Sequence, residues 1–248
     1  MKQIIIFSII LMQTAMAQEA MQYIYQGRFN SGFGRREQFR DYRGILTVDG
    51  PRSLFTMKEE GVTLPSLQDL TVDLRPDSIF TVYKDQDSNS LLFEFADLSQ
   101  RTHWYADTLF PMDWTLLEEE KQIGGIPCRK AITFFKGRRY VAWYAPSITQ
   151  GDGPWKLGGL PGLILEAHDE AEEWHMTLLS MQTVKPFANK PFEDKMRKGM
   201  QGFADYASYL KTLEKRLQAS LGNSGGEPCS SCPATPTVKI HSWESIEQ

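Results

Sequence analysis

The chain has 248 residues, with 27 Lys and Arg against 31 Asp and Glu for a formal charge of −4. An acidic chain has no electrostatic reason to hold nucleic acid or to lie on anionic lipid, and its basic pairs, Arg35-Arg36 and Arg138-Arg139, neither line a helix nor alternate with an aromatic platform. The length suits one β-rich domain with a large core, and beyond residue 17 no apolar run approaches the roughly 20 residues needed to cross a bilayer.

The first 17 residues read as a secretory leader. Met1 and Lys2 make a short basic end, residues 4–12 an apolar core, and Ala15, Met16 and Ala17 the small-x-small pattern that a signal peptidase accepts. Export to the periplasm or the outer envelope is therefore expected. The absence of a cysteine after the cleavage point argues against a lipid anchor.

Residues 18–220 read as one domain built mainly of strands. Short runs rich in aromatic and β-branched residues occur at 23–25, 44–48, 53–57, 78–83 and 91–95, then at 103–105, 114–117, 131–135, 139–146, 163–168 and 174–181. Asp49 and Gly50 mark a hairpin, which Pro51 is expected to lengthen beyond two residues. The glycines at 124 and 125 read as a bend or bulge. Closely spaced strands of this kind fold as a curved antiparallel meander, half-barrel-like. One long helix is expected between about 192 and 218, where Met196, Met200, Phe203, Leu210, Leu213 and Leu217 recur at three- or four-residue steps; that stripe reads as packing against the sheet. Residues 221–248 are a Gly/Ser/Pro-rich tail.

The densest punctuation lies between the strands at 139–146 and 163–168. Gly153, Pro154, Trp155, Lys156, Leu157, Gly158, Gly159, Leu160, Pro161 and Gly162 run into Leu163. Glycine opens backbone angles closed to other residues while proline fixes φ, so Gly153, Pro154, Gly158, Gly159, Pro161 and Gly162 specify one loop path. The expected arrangement is strand, shaped loop, strand.

Gly159-Leu160-Pro161-Gly162-Leu163-Ile164 reproduces the hexapeptide of the GLPGLI family, secreted proteins of Gram-negative bacteria, and the resemblance extends along most of the chain. It includes Ser53-Leu54-Phe55, Ala106-Asp107-Thr108, Trp114, Ile123 through Ala131, Phe135, Gly137-Arg138, Tyr140, Ala142-Trp143-Tyr144, Ile148 and Gly153-Pro154-Trp155-Lys156. Gly125 and Trp155 depart from the residues usual at their positions. The resemblance implies export and a shared architecture; it brings no catalytic residue and no cofactor.

Three cysteines cannot all pair within one chain. Cys229 and Cys232 in the tail can form a local disulfide, act as a redox pair, or join Cys128 and His241 in a zinc site if the tail folds back; Cys128 itself suits a buried strand. No metal or cofactor is assigned. His103, His168, His175 and His241 accompany no Gly-x-Ser-x-Gly elbow. Alternation puts Glu166 and His168 on one strand face with Asp169 opposed, so a hydrolase using Glu166, His168 and Asp107 is the enzymatic alternative. The leading expectation is an exported, noncatalytic binding or accessory protein, taking an apolar or lipidic ligand or an outer-membrane protein at Trp143, Tyr144, Trp155, Lys156, Leu160 and Leu163. An apolar interior open at the loop would favour a carrier, two carboxylates converging with a histidine an enzyme, and a filled core without a pocket a purely structural or interaction role.

Overall fold

A computed structural model describes residues 19–30, 39–60, 80–96, 102–109 and 111–198, together with positions 211, 212 and 215. The leader, the residues expected in the long helix beyond 198 other than 211, 212 and 215, and the tail with Cys229 and Cys232 lie outside the described residues.

The strands are β1 (Ala20–Asn30), β2 (Phe39–Asp49), β3 (Arg52–Glu59), β4 (Phe80–Asp85), β5 (Ser90–Ala96), β6 (Thr102–Thr108), β7 (Thr115–Ile123), β8 (Ile126–Phe135), β9 (Arg138–Ala145), β10 (Leu163–Asp169) and β11 (Trp174–Val184), followed by helix α1 (Lys190–Lys198). All eleven strands form one open antiparallel sheet in the order β6-β5-β4-β3-β2-β1-β11-β10-β9-β8-β7. It is two meanders back to back. β1 pairs with β11 from Ala20↔Val184 to Phe29↔Trp174, and each meander runs outward from that seam, leaving β6 and β7 as the edges.

Two connections differ from the sequence reading. The β2–β3 loop is only Gly50-Pro51, because Asp49 pairs with Arg52. Gly50 takes φ 59°, and the fixed φ of proline suits the second position of a II′-type turn, so Pro51 completes the tight hairpin rather than lengthening it. Gly124 and Gly125, at φ 58° and 80°, form the two-residue turn between β7 and β8 rather than a bend within one strand. The bulge falls elsewhere on β7, between Leu116 and Glu120.

The sheet is strongly curved, as the contacts of two adjacent residues show. Trp155 packs on Phe135 of β8, Tyr140 of β9 and Trp174 of β11, while Lys156 lies over the rings of Phe93 on β5 and Tyr105 on β6. Neighbours in the chain can touch strands near both edges only if the sheet curls round them. The segment 109–114 joins the two edge strands, and its reach of at most about 25 Å keeps their ends close.

Alternation along each strand separates two faces. The concave face carries the main core, including Tyr25, Phe55, Val82, Phe93, Tyr140 and Ala167. On the convex face Tyr83, Leu92 and Trp104 form a second cluster, covered by Phe187 and by Phe192 and Met196 of α1; the Phe192 ring stacks on Tyr83 at 4.9 Å. Asn189 immediately precedes the helix, its carbonyl accepting the Glu193 N–H, and Pro191 sits in the first turn where its missing N–H costs nothing. No helix among the described residues is long and apolar enough to cross a membrane.

Candidate functional site

The segment between β9 and β10 folds into a small hairpin of its own and fills the hollow of the sheet. Gly159 N–H donates to the Gly151 carbonyl at 2.8 Å, Asp152 and Gly158 form an isolated bridge, and Leu157 N–H closes a turn on the Pro154 carbonyl at 3.2 Å. At the tip Trp155 sits at φ 55°, a conformation that costs a bulky residue about 1–3 kcal/mol. Complete burial of the indole among Phe135, Tyr140 and Trp174 offsets that strain.

Four side chains from distant parts of the sequence hold this hairpin. Lys84 on β4 is buried; its ammonium donates to the Asp152 carboxylate and to the carbonyls of Gly153 at 3.3 Å and Leu157 at 3.0 Å. Asp152 Oδ1 also accepts the Gly153 N–H at 2.7 Å. Tyr25 on β1 donates to the Ile164 carbonyl at 2.8 Å, and burial, reinforced by the Asp152 charge, pushes its hydroxyl well above its ordinary range, so it remains a neutral donor. Trp114 donates its indole N–H to the Gly158 carbonyl at 2.8 Å, and Lys156 donates to the Tyr105 hydroxyl at 2.5 Å. None of Lys84, Asp152, Tyr25 or Trp114 was a candidate from sequence.

The sequence candidates divide among three environments. Trp155, Leu163, Tyr144, Gly153, Pro154 and Gly162 are in the interior, as is Lys156. Gly162 passes so near the preceding strand that a Cβ there would lie 2.2 Å from the Ala145 carbonyl oxygen. Trp143 points to the convex face, with Lys121 Nζ 4.4 Å above its ring. Leu160, Gly158 and Gly159 border a cleft of about 330 Å³ where the hairpin meets the β4–β5 turn and the segment 109–114. Lys84, Gln86, Leu109, Pro111 and Met112 also line it, as do the buried Lys156 and Asp152. Pro161 is exposed nearby in sequence.

On the convex side of β10, Glu166 and His168 share a face as alternation requires, although the register shifts between Ile164 and Glu166. Glu166 meets Lys121 at 2.7 Å and His175 at 3.5 Å. Burial pushes its carboxyl up, but the hydrogen bonds from His175 and Lys121 outweigh this and lower it to about 2. The His168 ring lies 5.3 Å from that of His175, tilted at 51°, and its Nδ1 meets the Asp169 carbonyl. Asp107 is on edge strand β6, separated from β10 in the sheet by β5, β4, β3, β2, β1 and β11. Thr177 Oγ1 lies 3.3 Å from His175 Nε2, the same ring nitrogen that faces Glu166. A nucleophile–base–acid relay needs both ring nitrogens, so these three residues do not make one. Cys128 is a buried thiol, pushed up by burial to about 11 and so held protonated.

No protein-family model matches the chain, and no curated protein sequence does. Two crystal forms of PNGF-II are similar in structure, each with a TM-score of 0.47 and 15% identity over 70% of this chain. The chain spans only 29% and 30% of the length of those two chains. A domain provisionally assigned as an outer membrane lipoprotein-sorting protein, from Vibrio parahaemolyticus, gives a TM-score of 0.33 at 7% identity, over 71% of this chain and 89% of that one.

Proposed function

We propose that this chain is an exported, noncatalytic binding or accessory protein of the cell envelope, related to the GLPGLI proteins, whose ligand site is the cleft beside the central hairpin. The observation that carries this reading is the cleft itself: about 330 Å³, on a floor fixed by Lys84, Trp114 and the Gly159–Gly151 hydrogen bond. That volume falls at the lower end of the roughly 300–1,000 Å³ of small-molecule sites. Export rests on the basic, apolar and small-x-small pattern of residues 1–17. The interior is occupied by Trp155 and Leu157, so the hollow of the sheet holds the protein's own loop where a lipid carrier would hold its cargo.

The test is native mass spectrometry of the full chain recovered from a periplasmic extract, beside a Met112→Trp variant that fills the half-buried cleft wall. Wild-type protein is expected to carry a small bound mass that the variant lacks at an unchanged melting temperature. Equal ligand content in the two proteins, or a bare wild-type chain that also crosslinks to no partner, would defeat the proposal.

A further inference from the structure

The cleft displays two lysines, which at first sight marks it for an anion. Their bonding argues otherwise. Lys84 Nζ already reaches three acceptors, the full donor capacity of an ammonium, and one of them is the Asp152 carboxylate. Lys156 donates to Tyr105 and lies 4.2 Å over the Phe93 ring, so its charge is likewise engaged inside the protein. An anion would have to compete with the Asp152 carboxylate for Lys84, and a cation would meet both ammonium groups; either would also lose its hydration, which is unfavourable. Among the lining residues the uncharged side chain that both donates and accepts is the Gln86 amide. Leu109, Met112 and Leu160 supply apolar side chains to the same lining. A cleft of about 330 Å³ lies near the lower limit of the roughly 300–1,000 Å³ of small-molecule sites, which suits a compact ligand.

Resting on the reading of the cleft as the ligand site, we infer that its ligand is an uncharged, compact molecule, with an apolar body against Leu109, Met112 and Leu160 and one amide or hydroxyl group for Gln86. Long acyl chains and ions are both excluded by this assignment. The full chain is titrated with phenylacetamide, phenylacetate, phenethylammonium and hexadecanoate, read by calorimetry and by the methyl resonance of Met112. Phenylacetamide is expected to bind and shift that resonance, each ion to bind at least about tenfold more weakly, and hexadecanoate to leave it unmoved. Gln86→Leu, at an exposed turn position, is expected to weaken phenylacetamide about 3–10-fold without changing the melting temperature. An ion or hexadecanoate binding as tightly as phenylacetamide, or Gln86→Leu without effect, overturns the ligand class and leaves the site standing. Should no probe move the Met112 methyl, the site itself is overturned with it.

Discussion

Two lysine–carboxylate pairs on opposite faces of the sheet show how differently one kind of contact is used. Lys84 and Asp152, on the concave side, have side chains only 6% and 5% exposed; Lys121 and Glu166, on the convex side, are 33% and 14% exposed. The first pair joins β4 to the hairpin and is completed by two backbone carbonyls, so it determines where the loop sits. The second joins β7 to β10, strands already ordered by the ladders of β8 and β9 between them. Burial makes the inner pair obligatory, because either partner left alone is an uncompensated charge in the core; water makes the outer pair optional.

The largest effects should therefore come from the concave side. Lys84→Met strands the Asp152 carboxylate and is expected to cost about 3–5 kcal/mol in chemical denaturation. Adding Asp152→Asn should recover a large part of that loss. A double variant no more stable than the single would show that the lysine acts through its carbonyl contacts and not through its charge. Trp155→Ala removes the indole at the centre of the aromatic group and should cost a similar ~3–5 kcal/mol. Because residue 155 has φ 55°, Trp155→Gly should be the less damaging of the two by about 1 kcal/mol, the reverse of their order in a helix. If alanine is tolerated better, the positive φ is not a constraint.

Gly162→Val tests the entry of the loop into β10 and should cost about 2–3 kcal/mol, since its Cβ would be 2.2 Å from a backbone oxygen that belongs to a paired strand. A melting temperature within a degree of wild type would mean that Ala145 and β10 can separate freely.

Much of this was legible in the chain, and what was not has a common cause. Short runs of aromatic and β-branched residues located the strands, and alternation put Glu166 and His168 on one face, because both signals need only local sequence. The same rule, applied to β9, separates Trp143 from Tyr144, which proximity in sequence had grouped together at one binding surface. The glycines and prolines announced a shaped loop, but not that it turns inward. That direction depends on Lys84 meeting Asp152, 68 residues away, and on Tyr25 reaching Ile164 across 139; no local pattern marks a lysine that will be buried. Its only signal was position: Lys84 follows Phe80 and Val82 at the core-facing parity of β4. The cleft escaped for a similar reason, since its walls come from the β4–β5 turn, the segment 109–114 and the hairpin, which meet only through curvature of the sheet.

The smallest effect belongs to the outer pair, and its dependence on pH distinguishes it from the inner one. The Glu166 carboxyl titrates at about 2 in the folded protein against an ordinary 4.5, so folding favours its ionised form. The stabilisation is complete above the unfolded value, declines as pH falls below about 5 and is gone once the folded group protonates near 2. A shift of this size corresponds to about 3 kcal/mol at 1.36 kcal/mol per unit, but Lys121 and His175 are 33% and 35% exposed, and screening by water reduces the expected contribution to about 1 kcal/mol. Glu166→Gln should thus be about 1 kcal/mol less stable than wild type at pH 7, with the gap closing between pH 5 and 2. Urea titrations at several pH values measure that gap directly. A gap that stays constant with pH would mean that Glu166 stabilises β10 by packing alone, and one as large as that of Lys84→Met would erase the distinction between the two faces.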